Sequence, residues 1–263
     1  MALLELTAHS QTLDREVDFL VILPENTAGL IGMESKENAC CPTLYLLHGM
    51  SDDHTIWLRR TSIERYASAK GLAVVMPAAD LSFYSNMAYG DRYWDFISGE
   101  LPALCRSLFP QMSPRREDTF VAGLSTGGYG ALKCGLRAAD TFSYAAGLSS
   151  CADIVRLAQG SHLAATGFWQ DIYGDLNKLP GSFDDLFAAA EDLAKAGKPE
   201  VHFYMWCGTE DGLYPDNVKF RDHMLSLGLP LTYEESPGTH AWQYWDEKIQ
   251  TVIDWLPLGK EEE

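Results

Sequence analysis

Thr119-Phe120-Val121-Ala122-Gly123-Leu124-Ser125-Thr126-Gly127-Gly128-Tyr129-Gly130 reads as a buried apolar strand, a Gly-x-Ser-x-Gly turn and the start of a helix built from small residues. At a sharp strand-to-helix turn the central residue is held in a strained backbone conformation with its side chain exposed. Gly123 and Gly127 remove the Cβ atoms that would collide there. The following helix aims backbone N–H groups and its positive dipole end at the Ser125 hydroxyl, an arrangement that favours an anionic tetrahedral intermediate. Ser125 is therefore the candidate nucleophile, and a strand feeding a helix is the local topology.

Outward from this turn, apolar runs recur at Thr43–His48, Leu72–Pro77, Ser143–Leu148, Val201–Cys207 and Leu231–Ser236, with helix-like stretches between them. Strands separated by helices predict a parallel sheet. Ala2–Ala8 and Glu16–Leu23 alternate in polarity and lie close together, which predicts an antiparallel pair at one sheet edge. The helices expected are Asp53–Lys70, ending at Gly71; Tyr93–Phe109, kinked or restarted at Pro102; Gly127–Ala139; and Trp242–Leu256. Residues 151–200, with a Gly/Pro break at Leu179–Ser182, are long enough to form a small helical cap insertion. Phe168, Trp169, Tyr173, Phe183 and Phe187 in that stretch are expected mostly to pack internally. The fold class expected is α/β, a mostly parallel eight-stranded sheet with helices on both faces, in one domain spanning residues 1–263.

A serine nucleophile needs a base from a loop at the carboxyl edge of the same sheet, after the nucleophile and after the last strand. Among His9, His48, His54, His162, His202, His223 and His240, His240 alone fits, in Ser236-Pro237-Gly238-Thr239-His240. The acid that orients the imidazole should follow the preceding strand. Gly208-Thr209-Glu210-Asp211-Gly212 offers two, and Asp211 is chosen over Glu210 because it lies further past the strand end and suits a short reach. Two oxyanion donors follow from the topology, the backbone N–H of Thr126 and, after Leu47-His48-Gly49, that of Met50. His48 itself reads as a hydrogen-bonding brace. The order Ser125, Asp211, His240 is that of the α/β-hydrolase fold.

Composition narrows the partners. With 20 Lys and Arg against 37 Asp and Glu, the formal charge is −17, a field that repels nucleic-acid phosphates and anionic membranes. No window approaches the ~20 apolar residues of a spanning helix, and the first ten residues lack the basic and apolar parts of a signal peptide. A soluble cytoplasmic protein is expected, with neither nucleic acid nor membrane as a partner; a homo-oligomer stays open. Cys40, Cys41, Cys105, Cys134, Cys151 and Cys207 are scattered without metal-ligand spacing, so reduced, mostly buried thiols and no metal or other cofactor are expected. The tail Glu261–Glu263 reads as a frayed, solvated end.

Leu46-Leu47-His48-Gly49-Met50-Ser51-Asp52-Asp53 with Trp57, Gly123-Leu124-Ser125-Thr126-Gly127-Gly128-Tyr129-Gly130-Ala131 and Gly238-Thr239-His240-Ala241-Trp242 together resemble the esterase D family of α/β-hydrolases. The likeness is greatest to bacterial tributyrin-esterase and acetyl-esterase-like members, and S-formylglutathione hydrolases and feruloyl esterases are related. Phe83-Tyr84-Ser85-Asn86-Met87 is similar to the tributyrin-esterase branch. The resemblance implies substrate contacts at Trp57 and Tyr84, against the plainer reading of packing residues under a long loop. It implies a serine carboxylesterase acting on short-chain acyl esters, acetylated sugars included, with a small-molecule ester as its partner. A thioester hydrolase of the S-formylglutathione type is the alternative, and an inactive hydrolase-like binding protein is the alternative of another class.

Overall fold

A computed structural model describes residues 1–25, 31, 40–160, 162–197 and 199–258; the 261–263 tail lies outside the described residues. β1 (Ala2–Ser10) and β2 (Arg15–Leu23) form an antiparallel pair at one edge. Next come β3 (Thr43–Leu47), β4 (Ala73–Pro77), β5 (Thr119–Leu124), β6 (Tyr144–Leu148), β7 (His202–Gly208) and β8 (Leu231–Ser236). They join one eight-stranded sheet in the order β1-β2-β4-β3-β5-β6-β7-β8, antiparallel at β2–β4 and parallel from β4 onward. The central strands lack a polar side because both faces are covered. Leu44 and Leu46 of β3 enter one core, and Tyr45 and Leu47 enter the other.

The first of these cores is closed by α1 (Ile56–Arg60), α2 (Ile63–Ser68) and α10 (Trp242–Trp255), through Trp57, Ile63, Trp245, Ile249 and Ile253. On the opposite face α5 (Thr126–Arg137), α8 (Leu186–Lys195) and α9 (Tyr214–Ser226) pack against one another and the sheet. Parallel register sets strand ends side by side: Leu47 lies opposite Gly123, Leu148 opposite Trp206, and Gly208 opposite Ser236. The loops after β3, β5, β6, β7 and β8 therefore meet at one sheet edge.

Three helical expectations change. Asp53–Lys70 is two helices, because Thr61 leaves the helix in an extended conformation, donates its hydroxyl to the Trp57 carbonyl (2.6 Å) and accepts the N–H of Ile63 (3.1 Å). A side chain that satisfies backbone groups on both sides of a break offers the chain an alternative to continuing the helix. The Tyr93–Phe109 segment starts as α3 (Tyr93–Asp95), opens into a π-helical turn at Phe96–Glu100, then continues as α4 (Leu101–Leu108). The irregular turn ends two residues before Pro102, which has no N–H to give a regular ladder. Of residues 151–200, α6 (Ile154–Gly160) and α7 (Phe168–Tyr173) lie in the stretch between β6 and α8, while α8 itself belongs to the layer of α5 and α9. Trp169 is buried against Phe83 and Phe168 and stacks with Tyr173, and Phe187 packs on Phe220; Phe183 is half exposed.

The segment before α8 is fastened by a buried cation. Lys133 of α5 is 0% exposed, pairs with Asp184 and donates to Ser85 Oγ (2.9 Å) and the Tyr84 carbonyl (3.2 Å). Its ammonium also lies 4.9 Å from the Trp94 ring centre. Burial lowers the Lys133 pKa, and Asp184 opposes that shift. Removing one partner of such a pair strands a charge away from water. Asp184→Ala is expected to cost about 3 kcal/mol of stability in urea denaturation, and Lys133→Met combined with Asp184→Leu to recover most of it. A single variant as stable as wild type would contradict the buried-pair account.

Candidate active site

Ser125 lies between β5 and α5 with φ +54° and ψ −116°, a combination rarely adopted by a residue with a side chain. Its N–H donates to the Leu148 carbonyl at 2.9 Å, and its carbonyl accepts the N–H of Cys151 at 3.0 Å, so β6 and its following turn grip the elbow on both sides. The glycines permit the close approach. A Cβ on Gly127 would overlap the Leu47 and His48 carbonyls, and one on Gly123 would overlap the backbone of Gly127. Helix α5 is thus seated directly on the end of β3.

The structure brings together the three side chains singled out from the sequence. His240 Nε2 is 3.1 Å from Ser125 Oγ, and His240 Nδ1 is 2.8 Å from Asp211 Oδ2. The Asp211 side chain is 0% exposed, whereas that of His240 is 37% exposed. Burial alone would raise the Asp211 pKa, but hydrogen bonds from His240 and the Leu213 N–H (2.8 Å), with the attraction of the imidazole, bring it below the usual carboxylate range. Asp211 therefore stays ionised. An ionised acid on Nδ1 fixes the proton there and leaves Nε2 free to accept one from Ser125. A hydroxyl so placed can attack an electrophilic carbon while it passes its proton to the ring.

Gly49 brings the loop after β3 against Ser125; a Cβ there would stand 3.8 Å from Ser125 Cβ. Met50 follows it, and Thr126 opens α5, where backbone N–H groups precede the helical ladder. The loop is braced by His48, whose Nε2 accepts the Ala79 N–H (3.0 Å), leaving Nδ1 to donate to the Gly49 carbonyl (2.8 Å). Burial lowers the His48 pKa, consistent with a neutral ring in this role. Trp57 and Tyr84 are corrected from substrate contacts to packing residues. Both are almost fully buried; Trp57 Nε1 donates to the Leu47 carbonyl (2.9 Å), and the Tyr84 hydroxyl donates to the His48 carbonyl (2.7 Å). They hold the end of β3 from opposite faces of the sheet.

Sequence reading passed over several neighbours. Cys151 Sγ lies 3.8 Å from Ser125 Oγ, and burial pushes the thiol up to about 12. Asn217 is fully buried; its amide donates to the carbonyls of Ser150 (2.8 Å) and Leu213 (2.9 Å) and accepts the Ser150 N–H (3.2 Å). It ties the turn beside Ser125 to the turn that carries Asp211. Glu210, the rejected acid, binds the N–H of Gly238 through its carboxylate and gives its own N–H to the Gly238 carbonyl at 3.0 Å, joining the acid and base loops. The signal available for all three was position, immediately after a strand at the edge that holds Ser125 or in the helix that follows. Elsewhere, His202 stacks on Tyr144, His223 Nε2 meets the Phe187 carbonyl, and His9 faces Glu16. Among the described residues no group of three or more His, Cys, Asp or Glu could hold a metal ion, and no helix is long and apolar enough to cross a membrane.

Residues 10–256 match the family model described as Putative esterase. The chain belongs to that family. It is 30% identical over 262 residues to an acetyl esterase of Caldicellulosiruptor saccharolyticus, covering 97% of this chain and 98% of the relative. FphF, a fluorophosphonate-binding serine hydrolase of Staphylococcus aureus solved with substrate bound, superposes with a TM-score of 0.87 at 36% identity, covering 97% of this chain and 98% of that one. The S-formylglutathione hydrolase FrmB of the same organism gives 0.84 at 36% identity with the same coverage. The protein is a carboxylic ester hydrolase of the serine-hydrolase class with the α/β-hydrolase fold.

The lowered pKa of Asp211 links the site to stability. A carboxylate whose folded pKa lies below its unfolded value of about 3.9 stabilises the fold above that value, and the contribution is lost as pH falls through the folded pKa. Wild type is therefore expected to exceed Asp211→Asn in urea midpoint at pH 7, with the gap narrowing below about pH 4. A gap that widened on acidification would contradict the assignment.

Proposed function

We propose that the protein is a serine carboxylesterase that hydrolyses short-chain acyl esters, acetyl and butyryl esters and acetylated sugars among them, through an acyl-enzyme on Ser125. The observation that carries this reading is the continuous contact from Ser125 Oγ to His240 Nε2 and from His240 Nδ1 to the buried Asp211 carboxylate, at 3.1 and 2.8 Å. Oγ attacks the ester carbonyl carbon as its proton passes to Nε2, while Asp211 stabilises the imidazolium. The N–H groups of Met50 and Thr126 hold the oxyanion. Collapse breaks the bond to the leaving alkoxide, which takes the proton from Nε2 and departs as alcohol. Water then gives a proton to the same nitrogen and attacks the acyl carbon; Ser125 recovers its proton as the acid is released.

Similarity to the acetyl esterase supports a small acyl group, and the net charge of −17 favours a neutral ester over one bearing carboxylates. In this reading the partner is the small-molecule ester alone, and six free thiols suit a reducing cytoplasm. Similarity to the S. aureus S-formylglutathione hydrolase favours a second reading as a thioester hydrolase, because the same steps serve a thiolate leaving group.

Ser125→Ala is expected to lose fluorophosphonate labelling and at least about 10,000-fold in kcat/KM on p-nitrophenyl acetate; a variant that still turns over would overturn the nucleophile assignment. In a series of p-nitrophenyl esters, kcat/KM is expected to peak at acetyl to butyryl and to exceed that on S-formylglutathione. The reverse order would replace the ester reading with the thioester one.

A further inference from the structure

His240 is carried by a short loop, residues 237–241, between the end of β8 and the first turn of α10. Gly238 is buried within that loop, while Pro237, Thr239 and His240 are exposed. A buried main-chain N–H and C=O both need partners, and Gly238 finds the two in a single residue. The Glu210 carboxylate accepts the Gly238 N–H, and the Glu210 N–H donates to the Gly238 carbonyl at 3.0 Å. Nearer the sheet, the Thr209 N–H donates to the Ser236 carbonyl, also at 3.0 Å. A Cβ on Gly208 would stand 2.2 Å from the Gly238 carbonyl oxygen, so the two loops touch at their backbones.

The carboxylate takes the place of the main-chain carbonyl that a longer β7 would have offered, because the chain turns away at Asp211, whose N–H folds back to the Gly208 carbonyl at 3.1 Å. Glycine has more backbone freedom to lose than any other residue. Peptide groups are planar, so a bond to the Gly238 N–H fixes the plane before its Cα and a bond to its carbonyl fixes the plane after it. With both planes held, the direction in which the chain leaves Gly238 is set, and His240 lies two residues on. Asp211 lies one residue beyond Glu210. The 2.8 Å contact from His240 Nδ1 to Asp211 Oδ2 is thus built outward from one fixed pair of residues. The Gly238 N–H holds the Glu210 carboxyl below its ordinary pKa, which leaves the acceptor ionised at neutral pH.

We propose that Glu210 is a positioning residue for the ester hydrolysis, clamping Gly238 so that the His240 imidazole stays between Asp211 and Ser125; this rests on the reading of those three as the catalytic set. Glu210 touches neither His240 nor the reacting atoms and acts through the main chain alone. Its effect reaches every step in which His240 Nε2 takes or returns a proton, formation and hydrolysis of the acyl-enzyme alike. The loss on removing it is therefore independent of the alcohol that leaves.

Glu210 is exposed, so Glu210→Ala removes the acceptor without opening a cavity. In that variant kcat is expected to fall about 5-fold or more, by a similar factor on p-nitrophenyl acetate and on ethyl acetate, and KM to stay essentially unchanged because both chemical steps slow together. Glu210→Gln keeps a neutral amide oxygen at the same reach and is expected to recover most of the lost kcat. Exchange of the Gly238 amide hydrogen, followed by NMR, is expected to speed up in the alanine variant and not in the glutamine one. Wild-type kcat in Glu210→Ala, or a loss confined to KM, would overturn the proposal. So would a Glu210→Gln as impaired as the alanine variant, since the charge and not the clamp would then be the cause. Activity retained by Ser125→Ala would instead bring down the catalytic reading beneath it; an inactive Ser125→Ala beside a fully active Glu210→Ala removes the Glu210 role alone.

Discussion

The approach of Gly127 to the carbonyls of Leu47 and His48 is the contact on which the site geometry depends. No side chain fits between the start of α5 and the end of β3. Because Gly127 leaves that space empty, the elbow closes and Ser125 is forced to positive φ. The strain is local and is opposed by hydrogen bonds on both sides, from Ser125 to Leu148 and from Cys151 to Ser125. The same contact sets the loop after β3 beside Ser125, so one steric requirement places the hydroxyl and, in the proposed reaction, the Met50 and Thr126 N–H groups that would receive the developing charge.

Around that contact, rigidity comes from side chains that hold main-chain carbonyl and N–H groups. Trp57, Tyr84 and His48 fasten the end of β3, Asn217 fastens the turn after β6 to Leu213, and Glu210 fastens the acid loop to the base loop. Loops exposed at a sheet edge would ordinarily be the mobile part of such a fold. Here their backbone groups are satisfied by buried or close-set partners. The buried Lys133–Asp184 pair extends the same support one layer further out, because Lys133 binds the carbonyl of Tyr84, whose hydroxyl carries His48.

How much of this could be read beforehand follows from the kind of constraint involved. The eight strands, the elbow at Ser125 and the proximity of Asp211 and His240 to it were legible, because parallel-sheet topology brings strand ends to one edge and the apolar runs mark the strands. The break at Thr61 was not, since the apolar stripe continues across it and a threonine hydroxyl decides the matter locally. Nor was the depth of Trp57 and Tyr84. An aromatic residue near a site has the same sequence appearance whether it faces substrate or supports a carbonyl, and only the partner of its polar atom distinguishes the two.

Glu210 and Asp211 show the same distinction between adjacent residues of identical charge. Backbone direction after Gly208 sends Glu210 to the Gly238 amide at the surface and Asp211 inward, where its side chain is fully covered. A buried carboxylate in a chain of net charge −17 has to be kept ionised by its immediate surroundings, since the overall field opposes it. Its named partners are the Leu213 amide and the His240 ring rather than a Lys or Arg. A fixed cation beside Asp211 would offset the charge before any reaction began. With an imidazole there, the proposed reaction creates the compensating positive charge only as Ser125 gives up its proton, which makes the attraction between Asp211 and the ring stronger in the transition state than in the resting site.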